Sequence, residues 1–223
     1  MKIVAISDTH GNYDFTIESS NILCICGDIV PLRMQRNIPQ SISWFKKEFI
    51  PWCKSLPVEQ IYMVGGNHDF FLEKEEKKCK ELLLGTNITL LNNERAEYFD
   101  GEKTWVIWGS PLCHIFGNWA FMYSDEYEKE KFSLMPDEFD VLLTHDAAFG
   151  RNDVLLEPYY TKEHIGNPAL AQVLEIKHPK YHFTGHLHST SHILTDYNGT
   201  QTACVSLLNE QYKLNYKPFY LTL

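Results

Sequence analysis

Six short apolar runs, each broken off by a burst of polar residues, constrain this chain of 223 residues more than any other feature. "KIVAIS" (Lys2–Ser7) ends at Asp8-Thr9-His10, "NILCIC" (Asn21–Cys26) at Gly27-Asp28, and "QIYMV" (Gln60–Val64) at Gly65-Gly66-Asn67-His68-Asp69. Further along, "KTWVIW" (Lys103–Trp108) ends at Gly109-Ser110-Pro111, "FDVLLT" (Phe139–Thr144) at His145-Asp146, and "KYHFT" (Lys180–Thr184) at Gly185-His186-Leu187-His188. Hydrophobicity that is continuous rather than alternating, and rich in Ile, Val and Leu, marks strands covered on both faces. Helices are expected between them. Ile42–Phe49 and Glu73–Leu84 mix charge with apolar spacing, Asp125–Phe132 is highly charged, and Pro168–Lys177 opens with a proline suited to a first helical turn. Strand and helix in alternation predict a layered α/β domain with largely parallel strands.

The tail has a different pattern. Asn198-Gly199 stands between two strand-like stretches, a strong hairpin signal, and "KPFYLTL" (Lys217–Leu223) suits a final edge strand. A second sheet, or an antiparallel extension, is therefore expected from the last third of the chain. No repeat or Pro/Gly-rich linker divides the sequence, so residues 1–223 are read as one domain. Its 44% hydrophobic and 13% aromatic content can fill a sizeable core. The apolar run at the N-terminus reaches Asp8, too soon for a signal peptide. Six cysteines occur without a CxxC pair, and Cys24 and Cys26 lie in an apolar run as reduced, buried thiols would. A cytoplasmic location is expected. The net charge of −9 disfavours non-specific nucleic-acid binding.

In open α/β folds, residues just past the carboxyl ends of parallel strands gather on one edge and form the usual site. Read so, the bursts bring together Asp8, His10, Asp28, Asn67, His68, His145, His186 and His188. Carboxylate, amide and imidazole donors without a thiolate exclude a structural zinc finger, and mixed N/O ligation suits Mn, Fe or Zn better than calcium. In Gly185-His186-Leu187-His188 the alternate histidines of an extended segment point to one side.

The ordered series Asp8-x-His10, Gly27-Asp28, Gly66-Asn67-His68-Asp69, His145 and Gly185-His186-x-His188 resembles the calcineurin-type metallophosphoesterase superfamily over residues 8 to 188. The resemblance implies a four-layer α-β-β-α sandwich of two mixed β-sheets, the metallo-dependent phosphatase fold, with two divalent metal ions at the strand ends. It further implies that Asp8, His10 and His188 hold one metal, that Asn67, His145 and His186 hold the other, and that Asp28 bridges both. It assigns His68 as general acid or phosphate donor, with Asp69 as its orienter. Asn67 and His68 are also expected to meet substrate, and Arg33 and Arg151, which follow two motif strands, are candidates to touch phosphate.

A narrower likeness rests on "ISDTHG", on Gly109–Phe121 and on "LTHDAAFGRND" (Leu143–Asp153). These are similar to the small metallophosphoesterase-domain proteins related to class III cyclic-nucleotide phosphodiesterases. That branch usually has Thr-His-Gly-Pro-Pro where this chain has Thr144-His145-Asp146-Ala147-Ala148, a departure that spares the histidine and alters the neighbouring loop.

The chemistry accounts for the residue types. Two cations about 3.5–4 Å apart neutralise phosphoryl oxygens and lower the pKa of a bridging water, so that hydroxide can attack in line. A bridging carboxylate reaches one metal with each oxygen, and the neutral Asn67 carbonyl limits negative charge on the second. Each ligand histidine needs an acceptor on its other nitrogen, for which Asp146 and Asp153 are candidates. The leaving oxygen departs opposite the metals and needs a proton, which His68 is placed to give. The expected function is a metal-dependent phosphoesterase, a phosphodiesterase on small or cyclic nucleotides, using Mn2+ or alternatively Fe or Zn. Alternatives of the same fold are a phosphomonoesterase or small nuclease, and from another class a non-catalytic scaffold, which would ordinarily have lost one of these residues. The expected partner is a small phosphoester or nucleotide, with no membrane and with nucleic acid disfavoured. Trp119 and Phe121 are expected to pack rather than to form a substrate wall.

Overall fold

The computed structural model describes residues 1–156 and 163–223. Its first three strands, β1 (Lys2–Ile6), β2 (Ser20–Cys26) and β3 (Val58–Val64), coincide with the first three apolar runs and pair in parallel. A short strand β4 (Ile88–Leu90) adds parallel to β3, and β11 (Phe219–Thr222) closes the other edge antiparallel to β1. The expected edge strand is thus present, in the first sheet.

The later runs form a separate sheet. β5 (Glu94–Phe99), β6 (Thr104–Ser110), β7 (Val141–Thr144), β8 (Tyr181–Thr184), β9 (Thr195–Tyr197) and β10 (Thr200–Cys204) assemble in the order β5-β6-β7-β8-β10-β9. Its outer pairs, β5 with β6 and β9 with β10, are antiparallel, and its central pairs are parallel. The second sheet therefore starts at Glu94 rather than in the last third of the chain. Apolar runs alone could not show this, because a strand covered on both faces looks the same in either sheet.

Side-chain alternation builds the layers. Ile3, Ala5, Ile22, Cys24 and Val64 face Ile107, Val141, Leu143, Phe183 and Ala203 between the sheets. Val4, Ile6, Leu23, Ile25 and Met63 point outward and pack on the first helical layer, which supplies Trp44, Phe45, Phe49 and Phe71. Trp108 and Leu142 point outward from the second sheet against Phe132, Leu170 and Leu174. The result is the expected α-β-β-α sandwich.

The helical layers differ from the expected spans for local reasons. α1 (Ile38–Trp44) starts early because the Asn37 side chain caps the Gln40 amide at 3.2 Å and Pro39 fits the first turn. It runs through a π turn at Phe45–Phe49 into α2 (Ile50–Ser55). The wider turn precedes Pro51, which has no N–H for the ladder. The Glu73–Leu84 stretch divides into α3 (Phe70–Lys74) and α4 (Glu76–Leu83) at Glu75, which leaves helical geometry with φ −128° and ψ 34°. α5 (Asp125–Phe132) and α6 (Pro168–Leu174) cover the second sheet. Among the described residues no helix is long and apolar enough to cross a membrane.

Candidate metal centre

The two sheets are joined at the carboxyl ends of their parallel strands. Ser7 pairs with Ser206 across the sheets, through Ser7 N–H to the Val205 carbonyl (2.9 Å) and Leu207 N–H to the Ser7 carbonyl (3.0 Å). At this edge the loops after β1, β2 and β3 meet those after β7 and β8, so Asp8, His10, Asp28, Asn67, His68, His145, His186 and His188 converge.

Sharp turns put them there. Asp8, His10, Asp28 and His186 have φ of 54°, 44°, 53° and 67°, four of the nine non-glycine residues with positive φ among the described residues. Such backbone is costly for side chains with a Cβ and concentrates at functional sites. Two glycines make room. A Cβ on Gly66 would lie 2.2 Å from Asp28 Oδ1 and 2.4 Å from the Asp28 amide nitrogen, and one on Gly185 would lie 2.0 Å from Ser7 Oγ and 2.6 Å from Asp8 Oδ2.

Asp8 Oδ2 accepts from the His186 amide (2.9 Å) and the Ser206 hydroxyl (2.8 Å), while its buried Oδ1 has no hydrogen bond among the described residues and faces His188 Nε2 at 3.3 Å. Asp28 Oδ1 accepts from the His68 amide at 2.8 Å. Its Oδ2 lies 3.7 Å from His10 Nε2, 3.7 Å from His68 Nε2 and 3.4 Å from His145 Nε2. Asn67 Oδ1 is 2.9 Å from His145 Nε2, and the His186 ring is centred 5.1 Å from that of His145.

Three of these imidazoles are oriented alike. His10 Nδ1 donates to the Val30 carbonyl (3.3 Å), His145 Nδ1 to the Cys26 carbonyl (2.7 Å) and His188 Nδ1 to the Asn209 carbonyl (3.0 Å). Each bond fixes the tautomer and leaves Nε2 directed at the two carboxylates, the arrangement a metal-binding histidine requires. Buried His10 Nε2 has no hydrogen-bond partner among the described residues. Ligand atoms of Asp8, His10 and His188 gather within 4.8 Å of one another, as do those of Asp8, Asp28 and His145, and those of His10, Asp28 and His68. The donor set fits divalent cations of the Mn, Fe or Zn type.

Electrostatics point the same way. Burial pushes the Asp8 carboxyl up, but His188, then His145 and His10, overcome it and hold it well below the usual carboxylate range. Burial likewise opposes ionisation of Asp28, and His145 and His68 reverse the effect, so its carboxyl also falls. Burial lowers the His145 imidazole, and the Asp28 carboxylate more than offsets this, to about 10. His186, buried and next to His145, is lowered to about 4. Two buried carboxylates ringed by lone pairs require positive charge among them, and protons and divalent cations compete to supply it.

Several sequence assignments are corrected. Asp69 does not face the His68 ring; its oxygens accept from the backbone amides of Gly66 (2.9 Å), Ile29 (3.2 Å) and Val30 (3.0 Å), so it braces the two loops. Burial, then the Asp28 charge, push its carboxyl up to about 7. The atom at His68 Nδ1 is Gln35 Oε1. Asp146 pairs with His114 (2.7 Å) and Asp153 with His164 (2.6 Å), and backbone carbonyls rather than these carboxylates orient His10, His145 and His188. Arg33 lies exposed on the 3-10 turn Leu32–Met34, and buried Arg151 is spent on the Leu174 carbonyl and the Glu175 carboxylate. Arg36, passed over in the sequence, reaches the rim, its guanidinium 4.9 Å from the Trp119 ring centre.

Aromatic rings also border the cluster. Phe116, 48% exposed, is 5.1 Å from the His186 ring, and Trp119 is 4.7 Å from that of His68. Tyr212, 42% exposed, is 5.1 Å from His10 and 5.4 Å from His188. Phe121 is buried against Gly65, as expected, whereas Trp119, also expected to pack, is only half-buried and borders the cluster. Gln35 and Tyr212 stand outside every polar burst and carried no sequence signal.

The family model for calcineurin-like phosphoesterases matches residues 1–190. The metallophosphoesterase domain-containing protein 1 of Homo sapiens is 25% identical, over 94% of this chain and 68% of its own length. A UPF0046 protein of Caenorhabditis elegans is 27% identical, over 98% of this chain and 59% of its own length. Among solved structures, the phosphopantetheinyl hydrolase of Mycobacterium tuberculosis superposes with a TM-score of 0.59 at 14% identity, covering 95% of this chain and 90% of that one, a likeness of fold.

Proposed function

The chain belongs to the calcineurin-like phosphoesterase family, whose members are metal-dependent phosphoesterases, and we propose that it is a phosphodiesterase acting on small or cyclic nucleotides. Asp8, His10 and His188 would hold one cation and Asn67, His145 and His186 another, with Asp28 between them. Bound there, two cations neutralise phosphoryl oxygens and lower the pKa of a water to generate a nucleophile near neutral pH. The remaining work falls to the protein. The carbonyl-anchored imidazoles keep their Nε2 atoms fixed, which avoids reorganisation during the reaction. His68, whose amide is tied to Asp28 Oδ1, holds the proton for the departing oxygen at Nε2. Its neighbour Asn67 contributes a neutral oxygen beside it.

The observation that carries the nucleotide reading is the set of rings around the cluster. Phe116, Trp119 and Tyr212 each stand against a site imidazole, and an aromatic border of this kind suits a planar base, which stacks without sequence-specific hydrogen bonds. Hydrolysis of 2′,3′- and 3′,5′-cyclic nucleotides, dinucleotides and nucleoside monophosphates, each with added Mn2+, tests the reading. We expect diester turnover to exceed monoester turnover by about tenfold or more, in line with one proton-donating group poised for the leaving oxygen. Faster release of phosphate from monophosphates than from any diester would overturn it.

A further inference from the structure

His68 is the proton donor of the proposed reaction, yet among the described residues no carboxylate meets its Nδ1. Asp69, next in sequence, is fully engaged by backbone amides of Gly66, Ile29 and Val30. The atom that meets His68 Nδ1 is the side-chain oxygen of Gln35, a partly buried residue at the end of the 3-10 turn Leu32–Met34. The turn itself is held by Met34, whose amide donates to the Pro31 carbonyl (2.9 Å) and whose carbonyl accepts from the Ser41 hydroxyl (2.7 Å). On the other side, Arg36 donates to the Asn118 carbonyl (2.8 Å) and lies over the rings of Phe70 (4.5 Å) and Trp119 (4.9 Å). Trp119 in turn rests on the His68 ring. Gln35 therefore sits on a braced segment that contacts His68 both directly and through Trp119.

We infer that Gln35 is the positioning residue for His68. A neutral imidazole has two tautomers, and an acceptor fixed at Nδ1 selects the one with its hydrogen there. Nε2 then faces the reacting atoms, as its 3.7 Å approach to Asp28 Oδ2 indicates. In turnover the water oxygen bonds to phosphorus as the bond to the leaving oxygen breaks. The leaving oxygen takes the Nε2 proton of the imidazolium, which leaves the neutral Nδ1–H tautomer, and a proton from the attacking water returns to Nε2 through solvent. An amide at Nδ1 holds the ring through this cycle without competing for the transferred proton. A carboxylate there would bind the imidazolium more tightly and slow its release of the proton. The assignment rests on the phosphodiesterase reading only for the identity of the leaving group; the orientation of His68 stands on geometry alone.

Two measurements on the Zn2+-loaded full chain separate the two levels. Side-chain 15N spectra at alkaline pH, with the His68 signals identified by their loss in His68→Ala, report the tautomer directly. We expect Nδ1–H in the native protein and in Gln35→Glu, which keeps an acceptor, and a shift towards Nε2–H in Gln35→Ala. An unchanged tautomer in Gln35→Ala overturns the inference whatever the enzyme's substrate. Kinetics on phenyl and p-nitrophenyl diesters form the second arm. Gln35→Ala should lower kcat about tenfold on the poorer leaving group, the worth of one orienting hydrogen bond, with KM unchanged. It should have no further effect in a His68→Ala background, because the two residues act as a unit. Equal losses in both backgrounds overturn the inference. Absence of diester turnover in the native protein would instead overturn the phosphodiesterase reading, leaving the spectra to decide on Gln35.

Discussion

At the scale of single residues, the site depends on how closely backbone approaches Asp28 and Asp8. Gly66→Ala would drive a methyl group against the Asp28 oxygen and the Asp28 amide at once, and a backbone atom cannot step aside. Loss of metal affinity by about 100-fold is expected, the upper range for disturbing what holds a ligand, and isothermal titration with Mn2+ measures it. Gly185→Ala meets the movable side chains of Ser7 and Asp8 instead, so its affinity loss should be the smaller of the two. His68→Ala has a different expected signature. The ring approaches Asp28 but is not among the residues assigned to hold the cations, so metal content measured by elemental analysis should stay at the native level. Its kcat on bis(p-nitrophenyl) phosphate should fall by about 10²–10⁴, the usual worth of general-acid catalysis.

At the scale of elements, α5 and α6 are joined by a polar contact set in an apolar layer. Asn167 caps α6 through the Leu170 amide (3.0 Å) and donates to Glu128 Oε2 (3.1 Å), while Glu128 Oε1 is buried without a hydrogen bond among the described residues. Burial pushes the Glu128 carboxyl up from its ordinary 4.5 to about 7, opposed by the Asn167 bond and aided by the Asp146 charge. The folded state thus binds this proton more tightly than the unfolded state. The resulting stability is complete below about pH 4.5 and is lost as pH rises to about 7. Glu128→Gln should therefore melt higher than the native protein at pH 8, by about 1–3 kcal/mol in stability, and the gap should close by pH 4.5. Thermal unfolding monitored by circular dichroism at the two pH values checks this. Elements were legible in the sequence where burial is continuous, as in β1, β2, β3 and β7. β5 was not, because Glu94–Phe99 is a polar edge strand with both termini of its pattern exposed. The site residues were legible because each ends an apolar run. Their orienting partners were not, since a backbone carbonyl such as that of Cys26, Val30 or Asn209 has no signature in side-chain identity, and Gln35 reaches His68 across 33 positions.

At the scale of the whole molecule, the cluster straddles the seam between two sheets. Asp8, His10, Asp28 and Asn67 follow strands of the first, and His145, His186 and His188 follow strands of the second. Cations held by both would fasten the sheets together, so chelation should lower Tm, and added Mn2+ should raise it progressively with concentration, each site adding about 2.7 kcal/mol of stability at 100 times its Kd. Differential scanning calorimetry across a Mn2+ series gives that dependence, and a Tm indifferent to chelator and metal would disconnect the cluster from cation binding. The central claim, that these residues hold a two-cation phosphodiesterase centre, is tested most directly by stripping the protein with chelator and titrating Mn2+ back while following bis(p-nitrophenyl) phosphate hydrolysis. The account predicts no turnover in the stripped protein and a rate that reaches its plateau at two equivalents per chain. Turnover that survives stripping, or a plateau at one equivalent, would contradict it.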